Sequence, residues 1–119
     1  MKNKEIFNLY EGLYEISQDK ELKFGVRISY IFAKNKNILQ PYYDAIIDTR
    51  QKILEKYGEP QDNGDWRVCK EKMNIFMSEW NAFMEIENFV NLEKVRIEDL
   101  NDEKIGIELM EKLLSIIEQ

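Results

Sequence analysis

Apolar side chains recur three and four positions apart in three stretches of this chain, and each stretch predicts one face of a helix. The stretches cover residues 3–16, with Asn3 as a cap and Gly12 off the apolar face, then residues 26–57, then residues 66–84. The third stripe is the most regular and consists largely of sulfur and aromatic side chains: Cys69, Met73, Phe76, Met77, Trp80, Phe83 and Met84. We interpret this stripe as core packing and keep an adaptable binding groove as the alternative.

Residues that break or end helices divide these stretches. Pro41 lies inside the second helix and predicts a kink or a break, because proline removes one intrahelical hydrogen bond. Gly58 is placed to end that helix in a left-handed conformation, and Pro60 prevents the helix from resuming. Residues 58–64 then form a tight connector, and Asp65 is placed to cap the third helix.

Two shorter stretches favour extended chain. Residues 22–28 alternate apolar and polar side chains, so a short extended entry competes with an early start of the long helix. A second extended segment is predicted where apolar side chains stand among acidic ones: Val90, Leu92, Val95 and Ile97.

The last helix is predicted to begin at a cap formed by Asn101 or Asp102. Its apolar face is expected to comprise Ile107, Met110, Leu113, Leu114 and Ile117. The whole chain, residues 1–119, is therefore predicted to be a single, mainly α domain. It has four helices, one of them long and interrupted by proline, with a short extended segment before the last.

The predicted long helix has a geometric consequence. About 30 residues at about 1.5 Å each give about 45 Å, which exceeds the width of a compact domain of this length. Part of the helix is therefore expected to overhang and to offer apolar surface to a partner or a second copy, unless a break at Pro41 folds the helix back.

Charge is unevenly placed along the chain. The net charge is −6, with +1 on residues 1–60 and −7 on residues 61–119. This balance argues against binding a phosphate backbone, so nucleic acid is not an expected partner. A basic cluster is interpreted as the solvated side of a helix: Lys20, Lys23, Arg27, Lys34 and Lys36, near Tyr30 and Phe32. No stretch resembles a signal peptide or approaches the about 20 apolar residues of a membrane span, so we expect a cytoplasmic protein.

Candidate catalytic chemistry is sparse. The chain has no His, which removes the usual general base and the commonest metal ligand. Asp44 and Asp48 share a helix face but have no convergent partners, and Cys69 belongs to the apolar stripe. Residues 59–70 fail as a calcium loop because Lys70 stands where the bidentate Glu is required. We therefore expect no enzyme, no metal and no cofactor.

The segment from 85 to 111 has nine acidic and three basic side chains. It is interpreted as a solubilising surface, with imitation of the phosphates of DNA as the alternative. In the second case a basic partner would bind one exposed face that comprises Glu93, Glu98, Asp99, Asp102 and Glu103. Acidic groups near a helix start are also favoured by the helix dipole, which is a purely structural reason for their presence.

Three passages resemble short, uncharacterised phage and prophage proteins of Gram-positive bacteria: residues 26–35, residues 52–58 with the Asp62-Asn-Gly64 turn, and residues 90–100. The resemblance implies a phage-encoded accessory protein that acts by binding. Together with the long helix, it leads to our first hypothesis, a non-enzymatic helical interaction module of the host cytoplasm. This module would associate with itself, or bind a phage or host protein, in phage assembly or host-protein handling. The alternative hypothesis is an acidic, DNA-mimicking inhibitor of a host nucleic-acid-binding or defence enzyme.

Overall fold

A computed structural model describes residues 1–100 and 103–118 and confirms a mainly helical fold with four α-helices in that part of the chain. These are α1 (Asn3–Gln18), α2 (Val26–Tyr57), α3 (Lys70–Met84) and α4 (Ile107–Leu113). Two strand pairs join them: an antiparallel hairpin of β1 (Gly58–Pro60) and β2 (Trp66–Val68), and a parallel pair of β3 (Val95–Arg96) and β4 (Ile117–Glu118). Single 3₁₀ turns, Ile97–Leu100 and Leu114–Ile116, flank α4 in sequence.

The core lies where α1, the first half of α2 and α4 meet. α1 contributes Ile6, Leu9 and Leu13, each at most 1% exposed. Gly12, outside the apolar stripe, is also buried, because α4 approaches it so closely that a Cβ atom there would lie 2.9 Å from Cβ of Lys112. Glycine at this position therefore allows α1 and α4 to pack together.

α2 buries one continuous seam along its whole length. Every member of two interleaved seven-residue series is buried or half-buried: 28, 35, 42 and 49, and 32, 39, 46 and 53. This spacing is that of a helix that keeps a single face toward its neighbours. Pro41 lies outside the seam and is exposed. Because proline has no N–H, the carbonyl of Asn37, four residues earlier, has no intrahelical donor. Asn37 is exposed as well, so water can donate to this carbonyl instead. The helix continues through Pro41, and the break considered from the sequence is wrong.

The molecule is elongated because α2 is longer than the core. Its principal extents are 49 × 31 × 23 Å, and its radius of gyration of 16.9 Å exceeds the about 13–14 Å of a compact domain of this length. The last third of α2, the β1–β2 hairpin and the first half of α3 form what we call the arm, residues 47–77. Within the arm, all of which the structure describes, Ile53 is the only apolar side chain that is buried.

The start of α3 differs from the prediction. The helix begins at Lys70, and residues 66–68 pair with residues 58–60 instead of forming its first turn. Asp65 does not cap α3 but closes the hairpin turn, where its carbonyl accepts a hydrogen bond from the Gln61 N–H at 2.7 Å. Gly64 provides the positive φ of 89° that this turn requires.

Gly58 ends α2 in a conformation other than the predicted one. Its φ is −103° and its ψ 176°, which is extended rather than left-handed. A Cβ atom at this position would lie 2.7 Å from the Leu54 carbonyl oxygen and 3.1 Å from that of Arg67. Glycine is therefore suited to this site by the close approach of the hairpin to the helix end.

The chain around α4 also differs from the prediction. α4 begins at Ile107 with Gly106 as its N-cap, so the expected start at residue 101 or 102 is wrong. The proposed capping residues themselves, Asn101 and Asp102, lie outside the described residues. Ile117 belongs to β4 and not to the helix, because Val95 of β3 pairs with it. The predicted extended segment before α4 is confirmed, although only two of its residues form a strand.

The entry into α2 resolves the two interpretations of residues 22–28. Residues 22–25 are not helical, and α2 begins at Val26. Half-buried and exposed residues alternate from Leu22 to Gly25, and this alternation stops at Val26, which is 89% exposed. None of the described helices is both long and apolar enough to cross a lipid bilayer.

Candidate protein-binding surfaces

The acidic segment and the basic cluster that the sequence predicts separately lie against each other. Glu93 forms an ion pair with Lys34 of α2, and Asp99 forms one with Arg27 at 3.1 Å between Oδ1 and Nη2. The hydrogen bond from Lys34 to Glu93 raises the pKa of the Lys34 ammonium group. Two of the acidic side chains in the segment before α4 are therefore paired with cations of α2.

Asp99 has a second partner in its own segment. Its Oδ2 atom accepts a hydrogen bond from the Arg96 backbone N–H at 3.1 Å. This hydrogen bond, and then the nearby Arg27, lower the pKa of the Asp99 carboxyl. Asp99 thus fixes the turn that follows β3.

The remaining predicted partner-binding residues have different surroundings. Glu98 is exposed, whereas Glu103 is half-buried and its backbone N–H donates to the Leu100 carbonyl at 3.2 Å. Asp102 lies outside the described residues. Two of the four described members, Glu93 and Asp99, are engaged within the chain, so the four do not form one free acidic face.

The residues of the basic cluster, like those of the acidic segment, have different surroundings. Lys36 lies with its Nζ atom 5.8 Å from the ring centres of both Tyr10 and Tyr14, within cation–π range. Phe32 is buried in the core, while Tyr30 is 63% exposed. Lys20 and Lys23 are exposed in the connection before α2.

The sulfur and aromatic stripe of α3 is only partly a core element. Trp80, Phe83 and Met84 are half-buried and pack against the core, and Trp80 and Phe83 lie with ring centres 5.8 Å apart. Toward the start of the helix, Met73 and Met77 are each 41% exposed, and Cys69 is exposed. No residue of α3 is buried, so the prediction that its stripe is core is wrong for the first half of the helix.

An open groove of about 570 Å³ lies in the arm between α2, β2 and α3. Half-buried or half-exposed apolar side chains line it: Leu54, Trp66, Val68, Met73 and Phe76. Its other lining residues are Arg50, Arg67 and Lys70. These residues all belong to the described part of the chain and include three cations and no carboxylate. The groove thus combines apolar contact with positive charge, although the molecule as a whole is acidic.

A second cavity, of about 310 Å³, lies between the end of α1, the connection after it and α2. Leu13, Ile16 and Phe32 provide its apolar wall, and Asp19 and Lys36 lie at its polar side. Sequence patterns could not reveal either cavity, because each combines side chains from segments that are far apart in the chain.

Metal-binding geometry does not arise in the residues that the structure describes, where no three Cys, Asp or Glu side chains come together to hold an ion. Asp44, one of the two carboxylates considered from the sequence, accepts a hydrogen bond from Gln40 at 3.0 Å. Cys69 is the N-cap residue of α3, and its exposure removes the packing role expected for it.

Comparison with protein-family models, with curated proteins and with solved structures finds no significant match. A functional proposal therefore depends on the chemistry of the candidate surfaces themselves. The resemblance to phage proteins stays a prediction.

Proposed function

We propose that this chain is a helical protein-interaction module that associates with itself through the arm. The observation that carries the proposal is the environment of α3. Eight of its 15 residues are apolar, yet none of them is buried. A helix with apolar side chains on more than one face is typical of an element that a second surface covers.

The exposure of the apolar residues of α3 changes along the helix. Trp80 and Phe83, toward its end, pack against the core, while Met73 and Met77, one helical turn apart and nearer its start, are both 41% exposed. Ile75, on the opposite side of the helix from these two methionines, is 53% exposed. Methionine side chains are flexible and polarisable, which suits a surface that adapts to a partner. Clustered exposed apolar surface of this kind is typical of association sites.

The DNA-mimic hypothesis receives less support from the same structure. It requires a free acidic face, whereas the ion pairs with Arg27 and Lys34 occupy Asp99 and Glu93. Of the described residues predicted for that face, Glu98 is the one that is exposed and outside these ion pairs. We therefore favour apolar self-association over electrostatic mimicry.

Light scattering coupled to size exclusion tests the proposal. The native chain is expected to exceed monomer mass at tens of micromolar, and the Met73→Glu/Met77→Glu variant is expected to be monomeric, since it places two charges on the exposed apolar face. Asn74→Glu/Ser78→Glu is the matched control, because it adds the same charge to neighbouring exposed positions of α3. A native chain that is monomeric at these concentrations, or a control that dissociates as fully as the methionine variant, contradicts the proposal.

A further inference from the structure

The outward face of α4 is acidic and apolar at once. Ile107 is 80% exposed and Leu114, at the following 3₁₀ turn, is 51% exposed. Glu108 and Glu111 are exposed as well. Positions 107, 111 and 114 are spaced four and three residues apart, so they lie on one side of the helix, opposite the buried Leu109 and Leu113. We call Ile107, Glu108, Glu111 and Leu114 the α4 face.

The carboxylates of the α4 face are available for an external cation. In the part of the chain that the structure describes, neither Glu108 nor Glu111 forms an ion pair, in contrast to Glu93 and Asp99. The neighbouring Lys112 is directed elsewhere, with its Nζ atom 3.9 Å from the Glu15 carboxylate of α1. The α4 face thus presents two apolar side chains and two carboxylates to a partner.

The arm groove has the complementary composition. Its lining includes the apolar side chains of Trp66, Met73 and Phe76, and its charged lining residues are all cations: Arg50, Arg67 and Lys70. An acidic helix face with projecting apolar side chains complements this groove. Its apolar side chains are removed from water against the apolar lining, and its carboxylates pair with the cations.

We propose that the α4 face of one copy occupies the arm groove of a second copy. This inference rests on the proposed self-association and names the two surfaces that meet. Within one copy, α4 packs against α1 at Gly12, whereas the groove lies in the arm, which is built around the last third of α2. The two surfaces therefore belong to different parts of the molecule, and the contact joins neighbouring copies.

Because the two surfaces differ, two copies form the contact either once, head to tail, or twice, across a two-fold axis. An open head-to-tail assembly has an unoccupied groove at one end and an unoccupied α4 face at the other, so copies add until a ring closes or a filament grows, whereas the two-fold arrangement closes as a dimer. In both arrangements added salt is expected to shift the associated species toward monomer by screening the charges.

Charge-reversal variants of each surface test whether the α4 face of one copy binds the arm groove of another. The groove variant, Arg67→Glu/Lys70→Glu, places negative charge opposite the native α4 face. The helix variant, Glu108→Lys/Glu111→Lys, places positive charge opposite the native groove. Each variant alone is expected to lose the higher-mass species. All four side chains are exposed, and circular dichroism and thermal unfolding check that both variants keep the native fold.

Mixing the two variants provides the decisive measurement. In the mixture the negative groove of one variant meets the positive helix of the other, and the native groove and native helix also meet, so higher-mass species are expected to return. Asp44→Lys/Asp48→Lys is the control, because it makes the same charge change on exposed residues of α2 and should associate as the native chain does.

The outcomes distinguish the two proposals. If the native chain associates and Met73→Glu/Met77→Glu prevents association, but the mixed variants stay monomeric, the α4–groove contact is wrong and self-association through α3 stands. If the native chain is monomeric, both proposals fail. Return of association on mixing supports the α4–groove contact, since an interface between two identical surfaces gives no such rescue.

Discussion

The fully buried side chain of Asn35 forms two hydrogen bonds with the backbone of Glu93. Its Nδ2 atom donates to the Glu93 carbonyl at 2.8 Å, and its Oδ1 atom accepts from the Glu93 N–H at 3.0 Å. The amide of Asn35 thereby satisfies a donor and an acceptor of a segment with little regular structure. Asn35 lies in the buried seam of α2, so this contact fixes where residues 90–95 cross the long helix.

Replacing Asn35 by Ala is expected to destabilise the protein by about 1–3 kcal/mol, because the Glu93 backbone groups lose both partners. Denaturant unfolding measures the change. Asn37→Ala, at an exposed asparagine two residues along the same helix, is the control and should alter stability little. Equal stability of the two variants would contradict the role given to Asn35.

Reversing the charge of Asp99 is expected to lower stability, whereas the same change at Glu98 is not. In the Asp99→Lys variant the introduced ammonium group lies near Arg27, and the Arg96 N–H loses its acceptor. Glu98 is exposed, so a lysine at that position meets water. Thermal unfolding at low and at high salt tests this. The difference between the two variants should narrow with salt, since screening weakens repulsion between the introduced lysine and Arg27. Similar unfolding temperatures for both variants at low salt would show that the ion pair contributes nothing.

The helices were predictable because each carries a local periodic signal. The seam of α2 repeats over eight positions, and its observed bounds agree with the pattern. The end of α3 at Met84 agrees with the prediction, but the start of α3 and both ends of α4 were not predictable, since they depend on partners elsewhere in the chain. Residues 66–68 become a strand because residues 58–60 lie beside them, and Ile117 leaves the helix because Val95 is available for pairing.

The candidate surfaces show the same division between local and long-range information. Composition indicates an acidic segment, but only the fold shows that α2 supplies cations to Glu93 and Asp99. The α3 stripe has the periodicity of a core helix, and periodicity cannot tell how much of that face its neighbours cover. Met73 and Met77 stay exposed, although they share the stripe of Trp80 and Met84, because the core that covers the end of α3 does not extend to them.

Acid is expected to weaken the contact between Glu85 and the start of the chain. Hydrogen bonds from Lys2, and then from Lys4, lower the pKa of the Glu85 carboxyl to about 2 from a usual 4.5. Above pH 4.5 the carboxylate is charged in both the folded and the unfolded state, and its stabilisation is fully present. As the pH falls toward 2 the unfolded chain binds the proton first, so this stabilisation is progressively lost.

The Glu85→Gln variant isolates this effect from other carboxylates that titrate in the same range. Its free energy of unfolding should lie below that of the native chain at about pH 7, and the difference should shrink between pH 4.5 and 2. Glu98→Gln, at an exposed residue away from the start of the chain, is the control. A difference between the native chain and the Glu85→Gln variant that stays constant over this pH range would contradict the assignment.

The arm is expected to open more readily than the core. Ile53 is its only buried apolar side chain, whereas α1 and the first half of α2 share a cluster of fully buried residues, and local opening is easiest where few apolar contacts are broken. Hydrogen exchange at low protein concentration should therefore be faster for β2 and the first half of α3 than for α1. At concentrations where the chain associates, exchange should slow in the arm and at α4, while α1 changes little. Protection that appears only in the core would mean that association uses neither surface.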